Sequence, residues 1–119
     1  MYWEKDVETL SRARLEKTQL ARLKKTIGDA QKSFYYGKIF KEKGLNVNSV
    51  KSLGSINKFP FTAKDDLREH WPYGFIAVPK EKLVRMHSSS GTTGRTTVVF
   101  HTAKDIAVWA NLLARCMYM

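Results

Sequence analysis

Cysteine is nearly absent from this chain. Only Cys116 occurs among 119 residues, so no internal disulfide framework is available and no second thiol lies nearby to share a metal. It reads as a buried or half-buried thiol. Long apolar runs are missing too. No stretch approaches the roughly 18 apolar residues needed to cross a bilayer. The opening MYWEKDVETL lacks the basic-then-apolar order of a secretory signal. The expected location is therefore cytoplasmic, with no membrane partner. The three histidines, His70, His87 and His101, show no metal-ligand spacing and have no acid cluster beside them. No metal site is expected from them. His70 reads as a helix-end residue beside Trp71, and His87 as a strand-end residue that orients the segment after it.

What is present fits one small globular unit. Apolar residues make up 43% of the chain, with 3 Trp, 5 Tyr and 6 Phe, and charged residues make up 27%. That balance excludes a disordered chain. The net charge is +10, unevenly spread: residues 1–58 hold 13 Lys/Arg against 6 Asp/Glu, and residues 59–119 hold 8 against 5. A basic surface over residues 12–43 is one source of nucleic-acid affinity. Here Glu4, Asp6, Glu8, Glu16 and Glu42 interrupt the bases, and no block of five like charges occurs. The pattern therefore favours solvated helix faces over a nucleic-acid surface.

Few breakers interrupt Asp6–Lys43, which reads as helical. Leu20, Leu23, Ile27, Ala30 and Phe34 recur at the three-and-four spacing that lays them on one stripe. Gly28 costs roughly 1 kcal/mol inside a helix relative to alanine, so a break is expected near Gly28-Asp29. Gly44 follows Lys41-Glu42-Lys43 and suits a left-handed helix terminator, with Leu45 covering the last turn. Residues 46–61 read as loop with one short helical turn. The tetrapeptide Thr-Ala-Lys-Asp occurs at 62–65 and again at 102–105. At each place the Thr hydroxyl can accept from the third amide while the Asp reaches back, as at a helix start. Thr62 is thus expected to open a short helix that Pro72 ends. Thr102 is expected to open a longer one carrying Ile106, Trp109, Leu112, Leu113 and Cys116. Between them, Leu83–Met86 and Thr97–Phe100 are strand candidates.

The two strands flank HSSSGTTGRTTV, residues 87–98, which holds three serines, four threonines and two glycines. Gly91 and Gly94 let backbone come close to a ligand. Successive amides, the hydroxyls and the Arg95 guanidinium could together cradle an anion. The P-loop pattern needs four residues between its glycines, and here Thr92 and Thr93 alone separate them. Gly-Thr-Thr-Gly also matches the loop of KH RNA-binding domains, but that loop joins helices and this one joins strands. Composition alone leaves a phosphate cradle and a plain polar turn both open.

The heptapeptide Ser89-Ser90-Gly91-Thr92-Thr93-Gly94-Arg95 resembles the first phosphate-loop motif of the adenylate-forming enzymes, SSGTTGKP. The chain as a whole resembles the N-terminal part of the phenylacetate–coenzyme A ligases. Further residues that carry the likeness include Phe34-Tyr35-Tyr36, Phe59-Pro60-Phe61-Thr62, Lys64-Asp65-Asp66-Leu67, Trp71-Pro72-Tyr73-Gly74, Arg85-Met86-His87 and Thr97-Val98-Val99. Asp105-Ile106, Trp109 and Ala114-Arg115 complete it. Arg95 and Thr96 stand where these ligases usually have Lys and Pro. The resemblance implies an α+β fold: N-terminal helices, a short β-hairpin carrying the phosphate loop, and a C-terminal helix, together an incomplete piece of a larger domain. It implies a helical subdomain over residues 1–58 and the start of an AMP-binding domain over 59–119, with the loop at 87–97.

By the same resemblance, ATP with Mg²⁺, an aryl acid and coenzyme A are the partners of the complete enzyme, which makes an acyl-adenylate and then a thioester. Ser89, Ser90, Gly91, Thr92, Thr93, Gly94 and Arg95 would hold phosphate and supply neither nucleophile nor base, so the resemblance implies no catalytic acid–base residue in this stretch. The Mg²⁺ ligand, the aryl pocket and a mobile C-terminal domain fall outside this stretch, so the 119 residues alone are expected to be inactive. Apolar surface left without its core partners is expected to drive self-association.

Overall fold

The computed structural model describes residues 2–89 and 96–118. Its order is a short helix α1 (Lys5–Glu8), a long helix α2 (Arg12–Ala30), α3 (Phe34–Glu42), two 3₁₀ turns (Val47–Ser49 and Leu53–Lys58), α4 (Lys64–Glu69), a third 3₁₀ turn (Lys80–Lys82), strands β1 (Leu83–Ser88) and β2 (Val98–Thr102), and α5 (Ala103–Tyr118). This is the helices–hairpin–helix arrangement expected of the sequence.

The helical run breaks at Ser33 and not at Gly28. The Ser33 hydroxyl donates to the Ala30 carbonyl at 2.8 Å and accepts from the Tyr36 amide at 3.2 Å. One buried side chain thereby ends α2 and caps α3. Gly28 lies inside α2, where a Cβ would meet Val47 Cγ2 at 3.1 Å; its small size serves the close approach of the first 3₁₀ turn. The shifted break also divides the predicted stripe. Leu20, Leu23 and Ala30 pack around buried Ile27, Phe40, Val50 and Phe59. Phe34 begins a new helix and is 70% exposed.

Gly44 has the expected left-handed backbone, φ +62°. Its amide donates to the Lys41 carbonyl at 3.2 Å, and the Leu45 amide reaches the Phe40 carbonyl at 2.8 Å. This bond pair closes helix α3 and folds Leu45 back onto the core. On α2, Asp29 accepts from both Lys25 and Lys32; these two lysines, Lys25 first, hold its carboxyl down to about 2. Arg12 pairs with Glu16 along the same helix at 2.7 Å. Part of the N-terminal positive charge is thus paired locally on exposed faces.

The cap at the first Thr-Ala-Lys-Asp moves by one residue. Ala63 precedes α4, and its amide donates to Asp66 at 2.6 Å. The Thr62 hydroxyl is engaged elsewhere, in a hydrogen bond with the Tyr36 hydroxyl. Tertiary contact thus outcompetes the local cap. Cys116 is exposed, contrary to expectation, because α5 presents no buried residue along its length.

Aromatic contacts join the two halves. The Tyr35 amide donates to the Gly74 carbonyl at 2.8 Å. The Tyr35 ring stacks on Phe75 at 4.3 Å and meets His70 edge-on at 4.8 Å. Burial, and then the Asp66 carboxylate, push the Tyr35 phenol upward. His70 closes α4, its Nδ1 lying 3.0 Å from the Asp66 carbonyl.

Phe40→Ala should lower the unfolding free energy by about 3–5 kcal/mol, and Gly44→Ala by about 1–2 kcal/mol through the left-handed backbone alone. Urea denaturation followed by circular dichroism checks both. A Phe40→Ala loss below that of Gly44→Ala would place the core elsewhere.

Candidate functional site

The hairpin fixes the ends of the polar loop. β1 and β2 pair antiparallel, with Arg85 opposite His101, Met86 opposite Phe100, His87 opposite Val99 and Ser88 opposite Val98. One step beyond, the Ser89 amide donates to the Thr97 carbonyl at 3.0 Å, and the Thr97 amide reaches the Ser89 hydroxyl at 3.3 Å. Ser89 and Thr97 thus pinch the loop at its base. Of the proposed phosphate residues, Ser89 sits at this stem; Ser90, Gly91, Thr92, Thr93, Gly94 and Arg95 lie outside the described residues. The Thr97 hydroxyl is buried and has no hydrogen-bond partner among the described residues.

The register puts Arg85, His87, Val99 and His101 on one face of the ribbon. α5 lies against that face. Trp109 meets His87 at 5.2 Å and His101 at 6.0 Å between ring centres, and the two histidines are 4.9 Å apart. His87 therefore packs at the hairpin stem, between His101 and Trp109. On the opposite face, Phe100 packs on Tyr73 at 5.8 Å. Tyr73 also carries the Lys80 ammonium 3.7 Å above its ring.

Thr102 forms the predicted capping box. Its amide donates to Asp105 Oδ2 at 2.7 Å, its hydroxyl donates to the same oxygen at 2.7 Å, and the Asp105 amide returns to the hydroxyl at 3.2 Å. These bonds, the backbone one first, hold the Asp105 carboxyl below the usual carboxylate range. The α5 N-terminus is thus occupied by its own acid. It also lies at the far end of β2 from the loop, roughly 15 Å away at strand rise. An anion at the loop would therefore lie beyond the reach of the α5 dipole.

Sequence reasoning did not place Arg68 or Trp71 beside the loop exit. With Glu69, Thr96 and Val98 they line a cleft of about 520 Å³ beside the loop exit. Arg68 donates to Asp65 at 2.9 Å, while its buried Nε has no partner among the described residues. Nothing local in the sequence marks this position; only the fold brings α4 to the loop. Among the described residues no group of three or more His, Cys, Asp or Glu side chains converges to hold a metal, and no described helix is long and apolar enough to cross a membrane.

No protein-family model matches the chain. Individual relatives do. The phenylacetate–coenzyme A ligase of Aromatoleum evansii is 48% identical over 110 residues, covering 92% of this chain and 25% of that protein. The same-named enzyme of Pseudomonas putida is 46% identical over the same length, again covering 92% and 25%. The chain belongs to the phenylacetate–coenzyme A ligase family. It spans about a quarter of the length of the curated relatives it matches. Among solved structures, a 2-hydroxyisobutyryl-CoA ligase in complex with 2-HIB-AMP and CoA superposes with a TM-score of 0.87 at 33% identity, over 98% of this chain and 26% of that one. The helices and hairpin described above thus follow the backbone of an acyl-coenzyme A ligase segment.

Thr102→Ala should cost this ligase segment about 1 kcal/mol of stability by removing the α5 cap. Because the folded Asp105 carboxyl titrates below its unfolded value, its contribution is complete above the unfolded carboxylate range. It fades as pH falls through the lowered folded value. Asp105→Asn should therefore flatten the acid limb of a stability–pH curve, measured by urea midpoints; an unchanged limb would remove Asp105 from the account.

Proposed function

We propose that these 119 residues build the N-terminal quarter of an ATP-dependent aryl-acid coenzyme A ligase and supply one wall of its nucleotide site. The single observation that carries the reading is the pinched Ser89–Thr97 stem on a hairpin whose sequence and fold follow those of acyl-coenzyme A ligases. In the complete enzyme a carboxylate attacks the α-phosphate of ATP, giving an acyl-adenylate and pyrophosphate. The coenzyme A thiol then attacks the acyl carbon, forming the thioester and releasing AMP. Ser89, Ser90, Gly91, Thr92, Thr93, Gly94 and Arg95 take the β- and γ-phosphates and stabilise charge on the departing pyrophosphate. They provide neither nucleophile nor base. The described residues offer no carboxylate cluster for Mg²⁺, so no step is assigned to that ion here. Phenylacetate is the proposed acid, from the relatives' names. The cytoplasm is the proposed location, and a boundary near residue 58 separates the helical part from the start of the AMP-binding part.

The exposed apolar surface supports the same reading. Val84 and Met86 on β1, Val99 on β2, and Leu112, Leu113 and Met117 on α5 are all exposed. Exposed apolar side chains grouped on a hairpin and the helix beside it are characteristic of a surface that packs against further polypeptide. In the complete enzyme the remaining polypeptide covers these residues. On the 119 residues alone the same surface favours self-association.

The 119 residues alone should show no phenylacetate-dependent pyrophosphate exchange. Replacing the corresponding quarter of the Pseudomonas putida ligase with this chain should give a chimera that retains exchange within about tenfold. Gly94→Val in that chimera should lower exchange by at least about 10²-fold, in line with loss of positioned donors, without loss of circular dichroism signal. A folded chimera indifferent to Gly94→Val would overturn the assignment of the loop.

A further inference from the structure

Two clefts separate α2 from the hairpin and α5. One, of about 510 Å³, lies between Lys25 and Asp29 of α2 and the hairpin; the other, of about 770 Å³, lies between α2 and α5. The end of α5 is therefore not held by the hydrophobic core. It is held by the first residues of the chain. The Trp3 indole donates to Asn111 Oδ1 at 2.8 Å, and the Asn111 amide group donates to Glu4 Oε2 at 3.1 Å. The Arg115 guanidinium donates to the same Glu4 oxygen at 2.9 Å and comes within 3.4 Å of Glu8 Oε1. Glu8 also accepts from the Trp3 and Glu4 amides, at 3.1 and 2.8 Å, which fixes the arm's own shape. The Trp3 ring meets Tyr118 edge-on at 5.4 Å.

An isolated exposed ion pair contributes little, but a shared network of half-buried groups contributes more. Here the Glu8 and Arg115 side chains are 16% and 27% exposed and that of Glu4 is 41% exposed, and Glu4 and Arg115 each touch two other members. We propose that the N-terminal arm is a strap whose Glu4–Glu8–Arg115–Asn111 clasp holds α5 in place. Through Trp109, which lies on the same helix against His87 and His101, the clasp also steadies the stem of the polar loop. The inference rests on these contacts alone and is independent of the ligase reading.

Hydrogen exchange by mass spectrometry on the full 119-residue chain tests it, using Glu4→Gln, Arg115→Gln and the double variant. Each single change should speed exchange of the α5 amides about threefold to tenfold and leave α2 and α3 unchanged. The double variant should be no faster than the faster single, because both changes break one shared interaction. Raising salt to 1 M should mimic the single variants. Unchanged α5 exchange in Glu4→Gln, multiplicative effects in the double variant, or equal acceleration across α2 and α3 would each overturn the strap.

Discussion

Thr102 is both the last residue of β2 and the cap of α5, and the geometry of the candidate site depends on that double duty. A two-stranded ribbon is marginal in water by itself. Here the chain leaves the ribbon and enters the helix without a linker, so α5 has to fold back along one face. Trp109 then lands on His87 and His101, and Tyr73 supports Phe100 on the other face. With the ribbon held from both sides, Ser89 and Thr97 are left opposite each other at the base of the loop.

The rest of the chain serves as a platform for this ribbon. Ile27, Phe40, Val50 and Phe59 form a compact apolar centre, and Tyr35 extends it through Phe75 and His70 toward the segment leading to β1. That centre is small for 119 residues, and many large apolar side chains remain exposed, Phe61 at 96% and Met117 at 81% among them. This imbalance is the physical counterpart of a chain spanning a quarter of its relatives' length.

Features set by neighbours in sequence were legible in advance. The Thr102–Asp105 box, the left-handed Gly44 and the strand–loop–strand–helix order all depend on residues within a few positions of one another. Features set by tertiary contact were not. Gly28 was expected to break a helix because its partner Val47 lies in a distant turn. Thr62 was expected to cap a helix because the competing Tyr36 hydroxyl lies 26 positions away. Phe34 left the apolar stripe because Ser33 turned the chain one residue earlier. Cys116 was expected to be covered, but the helix carrying it has no buried face. The contacts of Trp3 and Glu4 with α5 join opposite ends of the sequence and have no local signature. The loop's chemical assignment came from its motif and the motif's companions, while composition by itself left a turn and a cradle equally open.

The polar loop at the head of the hairpin is proposed to grip the outer phosphates of ATP once the rest of the ligase is present. A crystal structure of the Pseudomonas putida chimera with a non-hydrolysable ATP analogue tests it directly. The expected result is β- and γ-phosphate oxygens within hydrogen-bonding distance of backbone amides or hydroxyls between Ser90 and Arg95. Phosphates bound elsewhere in the chimera, with those groups untouched, would contradict it.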